Sequence, residues 1–259
     1  MRKLLVLLLM LPLCSSCFQA ASELSVFAAA GAKAAIDEIC QQYEEQCGVT
    51  VSVTYGGGGE VLSQMMLAKS GDIYIAPEQS FMEKAIAKGA VIAQTVKSVA
   101  YMIPVIAVEK GNPKNINSLA DLAKPGVQVA ISRPDTTLVG QYALEIFQKA
   151  GLADAIGENI VTHAANPSNL LTMLIMGQVD AIVTWHYYAY LNPDDIENIY
   201  LPAEQVTGIA EMQVAVSAYS QNTKAAQRFV DFTTSEEGKA IFKKQGYIVD
   251  SEEVKEYWH

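Results

Sequence analysis

The chain has 259 residues, 51% of them hydrophobic, with 18 basic and 28 acidic side chains and a net charge of −10 at pH 7. An acidic excess with no basic stripe argues against nucleic acid or an anionic lipid surface as partner. It leaves small anions admissible, because local N–H groups govern such sites more than net charge does.

The chain opens Met1-Arg-Lys-Leu-Leu-Val-Leu-Leu-Leu-Met-Leu-Pro-Leu-Cys-Ser-Ser-Cys17, a basic start, an apolar run and then small residues. This pattern predicts an export signal over 1–16, since the run is shorter than the roughly 20 residues needed to span a bilayer. The residues before Cys17 resemble a bacterial lipoprotein cleavage box, with Leu13 one place early and Cys14 at the usual Leu position, so Cys17 is the expected lipid attachment. Removing 1–16 takes away Arg2 and Lys3, leaving 16 basic against 28 acidic residues, a net of −12. The remaining length suits two lobes of roughly 100–120 residues each.

Leu24 to Ala29 reads as a strand, followed by Ala30-Gly31 and a helix through Ala34, Ala35, Ile39 and Tyr43 that stops at Gly48. Cys40 and Cys47 lie on that helix, about 10 Å apart at seven residues' separation and beyond disulfide reach unless the helix breaks. Free thiols, mostly packed, are expected, and no Cys/His spacing suggests structural zinc. Val49–Tyr55 alternates as a strand, and four consecutive glycines, Gly56–Gly59, separate it from a helix through Val61, Leu62, Met65 and Met66. Glycine admits close backbone approach, and the first N–H groups of a helix lack intrahelical partners, so this junction suits an anion held by main chain. The competing reading is one glycine required by the turn and three that drifted. Asp72–Ala76 and a helix over Phe81, Met82, Ala85 and Ile86 complete a third strand–helix unit, which predicts a parallel sheet with right-handed crossovers.

Val99 to Val108 is a longer apolar strand containing Pro104. Proline is poorly tolerated in a central strand, so this segment reads as a crossing between lobes. A second α/β series follows: helix 118–122, strand 127–131, helix 137–149, helix 169–176 and strand 179–183. Strand 212–218 carries the chain back, and helices 223–232 and 235–244 dock on the first lobe. The expected fold is α/β, with two lobes of mainly parallel sheet joined by two hinge crossings and a ligand cleft between them. Lobe I takes 17–102 and 213–259, and lobe II takes 103–212. Ligands of open α/β sheets sit at the carboxyl ends of strands, where Gly31, Gly56–Gly59, Pro77, Arg133–Thr137 and Thr184–His186 all fall.

Several motifs in this order resemble the periplasmic molybdate-binding family of ABC importer solute-binding proteins. They are Val26-Phe-Ala-Ala-Ala-Gly31, Tyr55-Gly-Gly-Gly-Gly-Glu-Val-Leu-Ser-Gln64, Gly71-Asp-Ile-Tyr-Ile-Ala-Pro-Glu-Gln79 and Met82-Glu-Lys-Ala85. In the second half they are Ile131-Ser-Arg-Pro-Asp135, Gly140-Gln-Tyr-Ala-Leu144, Gly177-Gln-Val-Asp-Ala-Ile-Val183 and Glu236-Glu-Gly-Lys-Ala-Ile-Phe242 with Tyr247. The resemblance implies a type II periplasmic-binding fold and an exported, monomeric receptor, served by a permease and an ATPase. It would need no cofactor beyond its ligand oxyanion, molybdate or tungstate first. The implied ligand set is Ala30, Gly31, Gly57, Gly58 and Gly59 from one lobe, with Thr136, Thr137, Val139, Pro167, Thr184, Trp185 and His186 from the other.

Glycines stand here at positions where that family uses hydroxyl residues. Thr184, Trp185 and His186, with Tyr187 and Tyr188 just beyond, occupy the region of a family tyrosine ligand. A small organic acid or phosphorylated metabolite is therefore an alternative solute, and a surface adhesin on the same scaffold an alternative role. Arg133 suits bidentate pairing with an anion or a surface position before the Pro-Asp turn. Thr136 and Thr137 suit donation into a cleft or capping of the helix that follows. The aromatic cluster Trp185, Tyr187, Tyr188 and Tyr190 suits a pocket wall or plain packing. Glu60 is expected to turn away from an anion. The three histidines, His163, His186 and His259, accompany no nucleophile or metal-protease motif, so the expected activity is binding and not catalysis.

Overall fold

The structure, a computed structural model, describes residues 23–258. The expected export segment 1–16 and the attachment site Cys17 lie outside the described residues.

The first lobe begins with β1 (Glu23–Ala29), a 3-10 turn at Ala30–Ala32 and α1 (Lys33–Cys47), then β2 (Thr50–Gly56), α2 (Gly58–Ala68), β3 (Ile73–Ala76), α3 (Gln79–Ala87) and β4 (Lys97–Met102). Helix α1 buries Ala35, Ile36, Ile39, Cys40 and Tyr43 along one stripe, and Gly48 ends it with φ 64° while donating to Glu44 O at 2.8 Å. The unbroken helix keeps Cys40 and Cys47 as free thiols; Cys40 is buried but Cys47 is exposed, so only one is packed. Strands β1 and β3 are apolar and buried, as interior strands covered on both faces must be, whereas β2 alternates because it is an edge.

The second lobe follows as β5 (Pro104–Glu109), α4 (Leu119–Leu122), β6 (Val129–Ser132), α5 (Leu138–Lys149), α6 (Ala153–Gly157), β7 (Ile160–Ala164), α7 (Pro167–Ile175), β8 (Ala181–Trp185), α8 (Tyr187–Leu191) and β9 (Ile196–Ile199). The chain returns as β10 (Ala210–Val216), α9 (Thr223–Thr233), α10 (Glu236–Lys244) and α11 (Ser251–Val254). Helices α9 and α10 dock on the first lobe: Tyr43 of α1 meets Phe229 edge-on at 5.1 Å, and Lys244 pairs with Glu38 at 2.8 Å.

The sheet orders are β2-β1-β3-β10-β4 and β7-β6-β8-β5-β9. In each, four strands share a direction and the fourth in order runs antiparallel to both its neighbours. The sheets are thus mixed, each with a parallel trio at one side. Each antiparallel strand is the one that has just entered from the other lobe. The expected single strand 99–108 is two, β4 and β5, broken at Ile103 where the chain passes between sheets. Pro104 is tolerated in interior β5 because it is that strand's first residue. The second passage occupies 200–209, ahead of the return drawn at 213 from the sequence, because β10 already pairs with β4 from Ala210.

Candidate ligand-binding cleft

A cavity of about 380 Å³ lies between the lobes at the carboxyl ends of the parallel strands. From lobe I it is lined by Ala29–Ala32 after β1, by Gly56, Gly57 and Gly58 after β2, and by Pro77 and Glu78 after β3. Met102 of β4 and Met212 of β10 line it beside the crossings. Lobe II supplies Asn166, Pro167, Ser168 and Asn169 at the start of α7, with Trp185, Tyr187 and Tyr188 after β8. Tyr247, following α10, completes the wall.

Three helical starts therefore face one space, and their first-turn N–H groups have no intrahelical partners. Asn166 caps α7, its Oδ1 accepting from Asn169 N–H at 3.0 Å, and Pro167 at the first helical position has no N–H to offer. Ser168 is thus the first residue inside α7 able to donate from its backbone. Its hydroxyl also lies 3.3 Å from the Tyr188 hydroxyl.

None of Gly56–Gly59 has a positive φ, so the glycine run serves close approach. A Cβ at Gly58 would stand 2.6 Å from Pro77 Cγ, whereas one at Gly57 would meet nothing nearer than 3.9 Å. Gly59 does not line the cavity; it faces Phe81, whose Cε1 would be 3.2 Å from an added Cβ. Glu60 does not turn away as expected. Its Oε2 accepts from Gly57 N–H at 3.2 Å, because a carboxylate three residues into a helix satisfies an otherwise orphan donor.

The aromatic cluster is a wall. Tyr187 stacks on Tyr188 at 4.5 Å and on Tyr247 at 4.4 Å, and the Tyr247 hydroxyl donates to Gly31 O at 3.3 Å. This stack clasps lobe II to lobe I across the cleft. Burial raises the pKa of the Tyr187 and Tyr247 phenols, so both remain protonated donors. Tyr190, by contrast, is exposed.

The cleft thus gathers Ala30, Gly31, Gly57, Gly58, Pro167 and Trp185 of the residues expected from the sequence. The others sit elsewhere. Thr137 caps α5, its hydroxyl accepting from Gly140 N–H at 3.3 Å and donating to Arg133 O at 2.8 Å. Thr136 joins the same turn, and Val139 is buried in the core. Arg133 forks onto Asp135, with Nε to Oδ1 at 3.2 Å and Nη2 to Oδ2 at 2.6 Å, on the exposed surface. Thr184 is fully buried and its hydroxyl has no partner.

His186 brackets the first crossing. Its N–H donates to Ile103 O at 3.0 Å, and its Nδ1 accepts from Ile103 N–H at 3.1 Å, which places the proton on Nε2. Burial holds this imidazole down at about 4, in the neutral form whose Nδ1 can accept from Ile103 N–H.

Sequence reasoning missed two groups. Beside the expected Pro167, the α7 residues Asn166, Ser168 and Asn169 escaped because the strand before them, half exposed in alternation, was not recognised, although Asn166-Pro167 is a legible cap followed by a first-position proline. Glu78 escaped because it sits beside Pro77 as an ordinary polar loop residue. Among the described residues it is the one charged side chain in the lining, and burial pushes its carboxyl up to about 7 against the pull of Lys84.

Comparison with known proteins fits this geometry. Residues 24–248 match the family described as bacterial extracellular solute-binding protein. A relative from Haemophilus influenzae is 29% identical over 228 residues, covering 88% of this chain and 91% of its own. The molybdate-binding protein ModA of Mycobacterium tuberculosis is 26% identical over 231 residues, covering 88% and 85%. Among solved structures, a Clostridium difficile substrate-binding domain superposes with a TM-score of 0.77 at 24% identity, covering 89% of this chain and all of that one. Campylobacter jejuni Peb3 bound to L-phospholactate gives 0.72 at 24% identity, covering 88% of this chain and all of its own. The resemblance to periplasmic molybdate-binding proteins drawn from the sequence holds across nearly the whole described chain. With its two α/β lobes, interlobe cleft and matching profile, the chain belongs to the bacterial extracellular solute-binding protein family.

Proposed function

We propose that this protein is the extracytoplasmic receptor of an ABC importer and that its solute is an oxyanion, molybdate or tungstate first. The observation that carries this reading is the convergence of three helical starts, after β1, β2 and β7, on a cavity with no cationic side chain in its lining. Main-chain N–H groups at helix ends hold anions without one. Donors from both lobes favour the closed form, and only such differential affinity lets a ligand signal occupancy to a permease. Export through 1–16 and anchorage at Cys17 belong to the same reading. Calorimetric titration with molybdate, tungstate, sulfate and phosphate tests it; no heat from any of the four overturns the bare-oxyanion assignment.

A second reading is a small organic acid or phosphorylated metabolite, and the size of the cavity favours it. At about 30 Å³ per water, 380 Å³ is the share of roughly a dozen waters, more room than four oxygens around one atom fill. The stacked tyrosines supply an apolar face for the remainder of such a ligand. L-Phospholactate, the ligand of the Peb3 structure, is the probe to titrate beside the four inorganic anions.

A further inference from the structure

An anion site whose only charged lining side chain is a carboxylate poses a charge problem, and Glu78 is that carboxylate. It stands at the position preceding α3, with φ −150° and ψ 149°, where a side-chain oxygen can accept from the first-turn N–H groups. Glu78 makes no such capping bond, and it enters no ion pair among the described residues. Glu78 thus lines the cavity with no side-chain hydrogen bond among the described residues.

The groups around it do not neutralise it. Lys84, six residues on in α3, attracts it but lies over the Phe81 ring at 5.0 Å. Tyr74 of β3 and Tyr142 of α5 feel its charge only as something that resists their own ionisation. Glu60 of α2 is engaged with Gly57, and the Glu211 side chain of β10 accepts from Ser98. Tyr187 and Tyr247 across the cavity are phenols that burial keeps protonated.

We propose that Glu78 is the specificity-determining residue of the cleft, meeting a ligand oxygen as the neutral acid and donating its proton, so that each anion is captured together with one proton. This rests on the anion reading above. Burial already brings the empty-site carboxyl up to about 7, and a like charge placed beside it favours the protonated form further. Where the empty site is ionised, the proton comes from solvent on binding. A more basic oxygen gains more from this donor, so a phosphate monoester, with a second pKa of about 6, outranks sulfate at equal charge.

The test is calorimetry with molybdate and L-phospholactate, from pH 5.5 to 8.5 in buffers of different ionisation enthalpy, on the native protein and Glu78→Gln. The native protein should take up close to one proton per anion at pH 8 and almost none at pH 5.5, its Kd rising about tenfold per pH unit above 7. Glu78→Gln keeps an amide donor in the same shape, so it should bind at pH 8 at least as tightly and with a flat pH profile. Binding by the native protein without proton uptake overturns the proposal. So does a tenfold or greater loss of affinity in Glu78→Gln at every pH, since an amide donor in the same place would then fail to replace the acid. No heat from either probe at any pH overturns the anion reading itself and this proposal with it.

Discussion

Gly58→Ala is the sharpest test of what the glycine run does. An added Cβ would lie 2.6 Å from Pro77 Cγ, 2.9 Å from Pro77 Cδ and 3.0 Å from Phe81 Cδ2. The proline ring cannot rotate away, so relief requires the start of α2 to move by close to 1 Å relative to the β3–α3 turn. Overpacking of this kind costs about 1–3 kcal/mol, and the helix gains back about 0.5–1 kcal/mol from losing a glycine. The net, up to about 2.5 kcal/mol, should lower Tm by up to roughly 10 °C for a chain of this size. The same shift pulls the first-turn N–H groups of α2 off their ligand; losing one hydrogen bond to a charged group costs about 1.5–3 kcal/mol, or a tenfold or larger rise in Kd. Gly57→Ala is the stability control, because its Cβ meets nothing within 3.9 Å and its extended backbone, φ −64° and ψ 148°, accepts alanine. Thermal unfolding of both variants, with titration of molybdate into Gly58→Ala, decides the matter. A Gly58→Ala protein as stable and as tight as native, or a Gly57→Ala protein that loses as much stability, refutes the steric argument.

Three other outcomes are expected. His186, with a folded pKa of about 4 against 6.5 unfolded, contributes stability that is fully present above pH 6.5 and is lost as pH falls through 4. The loss approaches about 3 kcal/mol, and His186→Asn, whose Oδ1 can still accept from Ile103 N–H, should flatten that stretch of a denaturation-versus-pH curve. Of the Cys40–Cys47 pair, Cys47 should react quickly with a thiol reagent, while Cys40, buried and pushed up to about 12, reacts only on unfolding; equal rates refute the packing. Tyr187→Ala deletes the centre of the interlobe stack, and with aromatic pairs contributing about 0.5–1.5 kcal/mol each it should weaken anion binding roughly tenfold or more. Tyr247→Phe keeps the rings and loses only the bond to Gly31 O, so its cost in titration should be near 1 kcal/mol.

The two-lobed architecture was legible because strand–helix units with glycine stops leave a strong pattern, as in β1–α1 and β2–α2. Pro104 rightly marked a crossing, although it starts an interior strand and does not interrupt one. What the pattern hid was short or half-exposed: β7, with alternate residues open to solvent, and four-residue β9. With β7 unread, the expected second-lobe hydroxyl donors fell at the start of α5, where Thr137 caps its own helix, and of the start of α7 only Pro167, which has no N–H, was named. In lobe I, glycines and strand ends alone pointed to Gly31, Gly57, Gly58 and Pro77 of the lining. Glu78 was not, because its significance comes from burial and from an absence of partners, neither of which sequence spacing encodes.

The chemistry of the cleft follows from topology before side chains. In both sheets the trio of parallel strands ends toward the other lobe, and the helical starts after β1, β2 and β7 open onto the cavity there. Each lobe therefore presents the positive ends of helix dipoles to the same point. Such donors survive substitution, since they depend on where a helix starts and not on which residue starts it. Glycines can accordingly stand where the resembled family places hydroxyls without abolishing an anion site. The adjustable part lies in the groups that project inward: the Tyr187–Tyr247 stack, which shapes the space and clasps the lobes, and Glu78, whose proton decides whether a dianion is welcome. Specificity should therefore follow these side chains, while affinity for anions as a class follows the helix starts.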